Sequence, residues 1–238
     1  MNAEGRRWGD EHPVVVLVHG QPGDSGDFNE ILKRLPARVR CFSYDRPGWG
    51  RSAASATDVK GNSDYLAELL RSQGIVKAIV VGYSYGSTVA LRAAIDFPDL
   101  FSGLILVSPV GSVLSMSMVD RVLTLWASFL LRFPVIRSLV LRNQSRARLI
   151  ESFYQEQVSL AGDLRDLSDG ISSVDLPVSL IVGADDLFNP LKGTLGLLDT
   201  LPKVEMKLLP GVGHLLPDQA PEVVAERIFS MWSDQVNH

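Results

Sequence analysis

The chain has 238 residues, enough for one α/β domain with or without an insertion, and its 46% hydrophobic and 21% charged residues are ordinary for a soluble globular protein. A net charge of −4 with no long basic run excludes an electrostatic case for nucleic acid, and suits a neutral small-molecule substrate at least as well as a charged one. The single cysteine, Cys41, excludes an intrachain disulfide and gives no sign of an oxidising compartment.

The opening stretch "MNAEGRRWGDEHP" is polar and lacks the apolar run of a signal peptide, so a soluble, cytoplasmic protein is expected. Short β-rich runs then alternate with helical patterns, the sign of a mostly parallel sheet covered on both faces. Strands are expected at 14–18, 39–44, 78–82, 103–108, 178–183 and 205–209. Among the helices, the stretch 62–74 places Tyr65, Leu66, Leu69 and Leu70 on one face and ends at Gly74 as a C-cap would. The stretch 84–97 carries the small residues Ala90, Ala93 and Ala94, and 221–232 places Val224, Ile228, Met231 and Trp232 at helical spacing.

From about Val110 to Val174 the alternation stops, leaving only helical runs rich in Leu, Val, Phe and Trp and broken at Pro134. So long a stretch is unusual as a simple connection and reads as a helical lid inserted between two strands. The expected organisation is therefore an α/β core in two parts, 1–109 and 175–238, with the lid at 110–174. Within the lid, Val122 to Leu141 comes nearest to a membrane span, but Arg132, Pro134 and Arg137 interrupt it, so no stable membrane insertion is expected. Trp126, Phe129 and Phe133 form an apolar stripe that either packs the lid or lines a substrate pocket.

"VVVGYSYGST" ends a strand pattern on Ser84 with Gly82 and Gly86 two positions to either side. Ser84 is either a helix N-cap or a nucleophile on a turn too tight for a Cβ at either glycine. A serine nucleophile needs a base and a group to orient that base. Of four histidines, His12 and His238 lie near the termini, and His19, just after a strand, suits a structural hydrogen bond. Elimination leaves His214 as the base. "SLIVGADDLFNP" delivers Asp185 and Asp186 directly after an apolar run, so either can orient it. Asp45, Arg46 and Ser52 read as turn formers, and Cys41 as a small buried hydrophobe. No histidine–carboxylate cluster has metal-ligand spacing and "GVG" at Gly211 lacks a dinucleotide fingerprint, so no metal or cofactor is expected.

The chain resembles the α/β-hydrolase fold superfamily, within it the lidded serine hydrolases that include esterases, lactonases and C–C bond hydrolases. Five stretches carry the resemblance, in the family's order: "HGQPGDSGDF", "DRPGWGRS", "GYSYG", "GADDLFNP" and "GVGHLLPDQAPE". Position by position, it implies Ser84 as nucleophile and His214 as general base and acid. It favours Asp186 as the orienting acid, three residues after Gly183 and four before Pro190. It also implies an oxyanion hole from the backbone N–H groups of Gln21 and Tyr85. The implied activity is cleavage of a carboxylic ester or related acyl bond of a small, apolar substrate through an acyl-enzyme. Two alternatives stand beside it: a non-catalytic small-molecule binder on the same fold, and a lipase whose lid docks on a membrane surface. Arg132, Arg137, Arg142, Arg146 and Arg148 would serve the latter, or simply face solvent.

Overall fold

The computed structural model describes residues 12–110, 144–189 and 191–236. Strand β1 (Val14–Val18) is five apolar residues, all buried. A strand with no polar face needs cover on both sides, which helical crossovers between parallel strands provide. The others are β2 (Cys41–Tyr44), β3 (Ala78–Tyr83), β4 (Phe101–Val107), β5 (Val178–Gly183) and β6 (Val204–Leu209). Together they form one six-stranded sheet in the order β2-β1-β3-β4-β5-β6, each neighbouring pair parallel.

Alternate residues feed two apolar layers. Val14, Val16 and Val18 of β1 join Val80 and Leu104 on one face, while Val15 and Leu17 join Ile79 and Ile105 on the other. The first face is covered by helices α2 (Val59–Ser72), α3 (Tyr85–Asp96) and α4 (Gln144–Ser168), through side chains such as Leu66, Ala90 and Leu164. Helix α5 (Leu191–Thr200) adds Leu197 to the same layer. The second face is covered by the short α1 (Asn29–Leu32), the single turn α6 (Leu216–Gln219) and α7 (Pro221–Val236), whose Val224, Ile228 and Trp232 are buried. The expected α/β architecture, with a mostly parallel sheet and helices on both faces, is the architecture found.

Differences from the expected elements have local causes. β2 starts at Cys41, because the Val39 N–H donates to the Pro36 carbonyl in a turn (2.9 Å) and not to the sheet. β4 stops at Val107, because Ser108 takes a positive φ of 44°. α2 begins at Val59, capped by the Asp58 carboxylate on the Gly61 N–H, and stops at Ser72. Gly74 follows at φ 68°, where Ile75 N–H reaches back to the Leu70 carbonyl in the 6→1 closure typical of helix ends. α5 was not anticipated, since Gly193 and Gly196 depress helix propensity there. Helix α4 lies within the stretch expected to form the lid, and its Leu160, Leu164 and Leu167 belong to the same apolar layer as the strands.

After β1 the chain builds β2 on one side and then crosses to build β3 on the other. This switch point, at the carboxyl ends of the strands, is where open α/β sheets bind ligands. No helix among the described residues is long and apolar enough to cross a membrane.

Candidate active site

Between β3 and α3 the chain turns on one residue, Ser84, at φ 50° and ψ −119°. Such a conformation on a residue with a Cβ costs on the order of 1–3 kcal/mol and persists only where its surroundings impose it. Here the flanking glycines allow it. A Cβ on Gly86 would stand 2.1 Å from the Val18 carbonyl oxygen, and one on Gly82 2.6 Å from that of Gly86. The Ser84 N–H donates to the Val107 carbonyl (2.9 Å), and its side chain makes no capping bond to α3. The N-cap reading of Ser84 therefore fails.

The hydroxyl faces a histidine instead. Ser84 Oγ lies 3.1 Å from His214 Nε2, and His214 Nδ1 lies 2.8 Å from Asp186 Oδ2. The other Asp186 oxygen accepts from the Phe188 and Asn189 N–H groups, both at 2.9 Å, which fixes the carboxylate in its loop. Asp186 is buried, whereas Asp185 is exposed and spends its N–H on the Val212 carbonyl. Of the two carboxylates the sequence offers, Asp186 is the one at the histidine. Its bond to Nδ1–H leaves Nε2 free to accept a proton from Ser84.

Three residues not singled out from the sequence steady this arrangement. Ser108 Oγ and Tyr83 Oη both donate to the His214 carbonyl, at 3.1 and 3.3 Å. Asn189 Nδ2 in turn donates to the Ser108 carbonyl (2.7 Å). The signal for Ser108 was present, since a serine follows the apolar run of β4 as Ser84 follows that of β3. Nothing local marks Asn189.

These groups open on a cavity of about 270 Å³, near the small end of ligand pockets (~300–1,000 Å³). Gln21 and Tyr85, the expected oxyanion donors, line it beside Ser84, and Val110, Leu160 and Phe188 give it apolar walls. His214 is the one titratable imidazole among its described lining residues, and no Asp, Glu, Lys or Arg is among them. Trp126, Phe129 and Phe133 lie outside the described residues.

Residues 15–227 match the profile described as "Alpha/beta hydrolase family". The chain belongs to the α/β-hydrolase family. It is 27% identical over 226 residues to the pimeloyl-[acyl-carrier protein] methyl ester esterase of Nitrosomonas europaea, covering 85% of this chain and 88% of that one. It is 26% identical over 261 residues to the monoglyceride lipase of Rattus norvegicus, covering 94% and 84% respectively. In fold it matches a thermophilic esterase from Thermogutta terrifontis with a TM-score of 0.77 at 22% identity, over 96% of this chain and 92% of that one.

Behind the active-site face of this α/β-hydrolase lies a buried polar cluster. Asp45 ties its turn together, as expected of a turn former, accepting from the Ser25 and Arg51 N–H groups (both 2.8 Å). His19 is fully buried; its Nδ1–H donates to the Gly20 carbonyl (2.8 Å) and its Nε2 accepts from the Arg46 N–H (3.0 Å), which fixes the neutral tautomer. Burial, reinforced by the Arg46 charge, lowers its pKa from 6.5 to about 3. The unfolded chain therefore binds a proton between those values that the folded protein refuses. Stability should fall on acidification through this window, by about 1.4 kcal/mol per pH unit. Asp27, whose carboxyl burial raises to about 6, acts in the opposite direction between about pH 4 and 6, so the effect is best read as a difference. Urea unfolding of wild type and His19→Gln from pH 7 to 4 should show the wild type losing stability faster, and parallel curves would refute the assignment.

Proposed function

We propose that this α/β-hydrolase cleaves a carboxylic ester or related acyl bond of a small, apolar substrate through an acyl-enzyme on Ser84. The observation that carries this reading is the unbroken hydrogen-bonded line from Asp186 through His214 to Ser84, at the mouth of a cavity whose described lining residues include no carboxylate or cationic side chain. Ser84 Oγ attacks the substrate carbonyl as His214 Nε2 takes its proton. Charge developing on the carbonyl oxygen meets the N–H groups of Gln21 and Tyr85. Collapse of the tetrahedral intermediate breaks the C–O bond, and the imidazolium returns the proton to the departing alkoxide. A water molecule, deprotonated by the same histidine, then attacks the acyl-enzyme and releases the acid. Asp186 holds the tautomer throughout. The ester-cleaving names of two relatives support the bond type, and a single thiol with no intrachain disulfide possible suits a cytoplasmic setting.

The apolar walls set the substrate expectation. A charged group against Val110, Leu160 and Phe188 would lose its hydration and meet no opposite charge among the described lining residues, whereas an alkyl chain gains about 0.8 kcal/mol per buried CH₂. With p-nitrophenyl esters, kcat/KM should rise from acetyl to about hexanoyl, by roughly two- to fourfold per CH₂. A fluorophosphonate probe should add one adduct, mapped to Ser84. A profile peaking at acetyl would overturn the apolar substrate, and labelling elsewhere, or none, would overturn the acyl-enzyme. The lipase reading has one observation in its favour, the exposure of Phe188 and Leu215, which line the cavity, and of Leu187 (84%) next in sequence to Phe188. Against it, Arg148 is engaged with the Gly48 and Ser52 carbonyls and is not free for lipid. Flotation with anionic vesicles in the same experiment separates the two.

A further inference from the structure

The largest fully buried side chain among the described residues is a charged one, Arg46. Its guanidinium faces two ways. Toward the loop after β1, Nε donates to the His19 carbonyl (3.0 Å) and Nη2 to the Gly20 carbonyl (2.9 Å). Toward α4, Nη1 donates to Glu156 Oε1 and Nη2 to Oε2 (3.3 Å). Glu156 is also fully buried, and its Oε1 accepts from Trp49 Nε1 (3.0 Å) and Asn62 Nδ2 (3.4 Å). The guanidinium carbon stands 4.7 Å from the ring centroid of Tyr85.

Stability is a poor explanation for such a pair. Replacing a buried ion pair with apolar residues of similar volume is often neutral or stabilising. What the pair does provide is direction. The Gly20 carbonyl and the Gln21 N–H belong to one planar trans peptide unit, so they point opposite ways. Two donors, Arg46 Nη2 and His19 Nδ1, hold that carbonyl toward the buried cluster. The Gln21 N–H must then face the other way, on the side where Gln21 and Ser84 line the cavity. A Cβ on Gly20 would come within 3.1 Å of Ser84 Cβ, which shows how closely this peptide borders the nucleophile.

We propose that the Arg46–Glu156 pair is a positioning device for the oxyanion hole: Glu156, from α4, anchors the guanidinium that aims the Gln21 N–H at the substrate oxygen. The inference rests on the acyl-enzyme reading of Ser84 and Gln21. Helix α4 also lends Gln157 and Leu160 to the cavity, so one helix contributes both to the substrate wall and to the anchor of the oxyanion loop.

The test uses Arg46→Lys, which keeps the charge but loses the planar fork, Glu156→Gln, and the apolar double variant Arg46→Met/Glu156→Leu. Both single variants should lower kcat for p-nitrophenyl butyrate by roughly 10- to 100-fold, the scale of a misplaced oxyanion donor. KM should stay within about twofold, because the lost interaction acts in the transition state alone. Affinity for a trifluoromethyl ketone, which forms a tetrahedral oxyanion on the serine, should fall by the same factor as kcat/KM. The double variant should recover thermal stability but not kcat, since neither new side chain can hold a carbonyl. Wild-type kcat in the single variants, or kcat returning in step with stability in the double variant, overturns the proposal; should one single variant not fold, the other decides on the same readouts. Ser84→Ala is run alongside. If it retains turnover, the acyl-enzyme reading fails; if it is inactive while Arg46→Lys and Glu156→Gln match wild type, the positioning role alone fails.

Discussion

Replacing Ser84 with alanine should lower kcat toward p-nitrophenyl butyrate by on the order of 10⁵-fold with little change in KM. In the proposed mechanism the change removes the atom that forms the acyl bond and leaves the cavity walls, so binding survives while the covalent route is lost. Residual turnover above the uncatalysed rate, on the order of 10³-fold, should remain from the oxyanion donors and from positioning. Stability should hardly move. The Ser84 side chain makes no bond to α3, and its N–H bond to the Val107 carbonyl is kept by alanine. Alanine also inherits the positive φ, so no strain is released. Steady-state kinetics with a thermal melt checks both halves. A variant within tenfold of wild type would place the chemistry elsewhere.

Asp186→Asn should cost about 10⁴-fold in kcat, while Asp185→Asn stays close to wild type. An asparagine carboxamide at position 186 keeps an oxygen for the Phe188 and Asn189 N–H groups, so the loop should hold. Its remaining atom toward His214 becomes an NH₂, which donates to Nδ1 and stabilises the tautomer with the proton on Nε2. That nitrogen then has no lone pair for the Ser84 proton. Asp185 is exposed and touches the site through its backbone alone, so its charge has no comparable role. Kinetics of the two variants across pH, with unfolding curves for each, gives the comparison. Equal losses, or the reverse ranking, would show that the carboxylate at His214 is not the orienting acid.

Much of this architecture was legible because its chemistry is local. Strands buried on both faces read as apolar runs, unbroken in 14–18 and interrupted by Ser179 in 178–183, and both match the observed β1 and β5 residue for residue. The turn at Ser84 was marked by glycines whose absent side chains are needed within two residues of that serine. Choosing between Asp185 and Asp186 from spacing needed the family's pattern. In the folded chain the choice follows from burial and from one hydrogen bond to a residue 28 positions away. Helix α5 escaped notice because its glycines lower local propensity, while its stability comes from side chains such as Leu197 packing against the sheet layer.

By itself the sequence determined the layered α/β order, the strand-end positions of Ser84, the Asp185–Asp186 pair and His214, and the acidic, cysteine-poor character of the chain. Those depend on periodicity, glycine placement and composition, which act over short stretches of chain. The tertiary structure alone decided that Arg46 is a buried clamp and not a solvated turn residue. An arginine in "DRPG" carries the same local signature in water or in the core. Its burial is set by Glu156, 110 residues further along, brought against it by the packing of α4. A charge can stay inside a protein only where a partner neutralises it, and here that partner lies too far along the chain for any local stretch of sequence to record it.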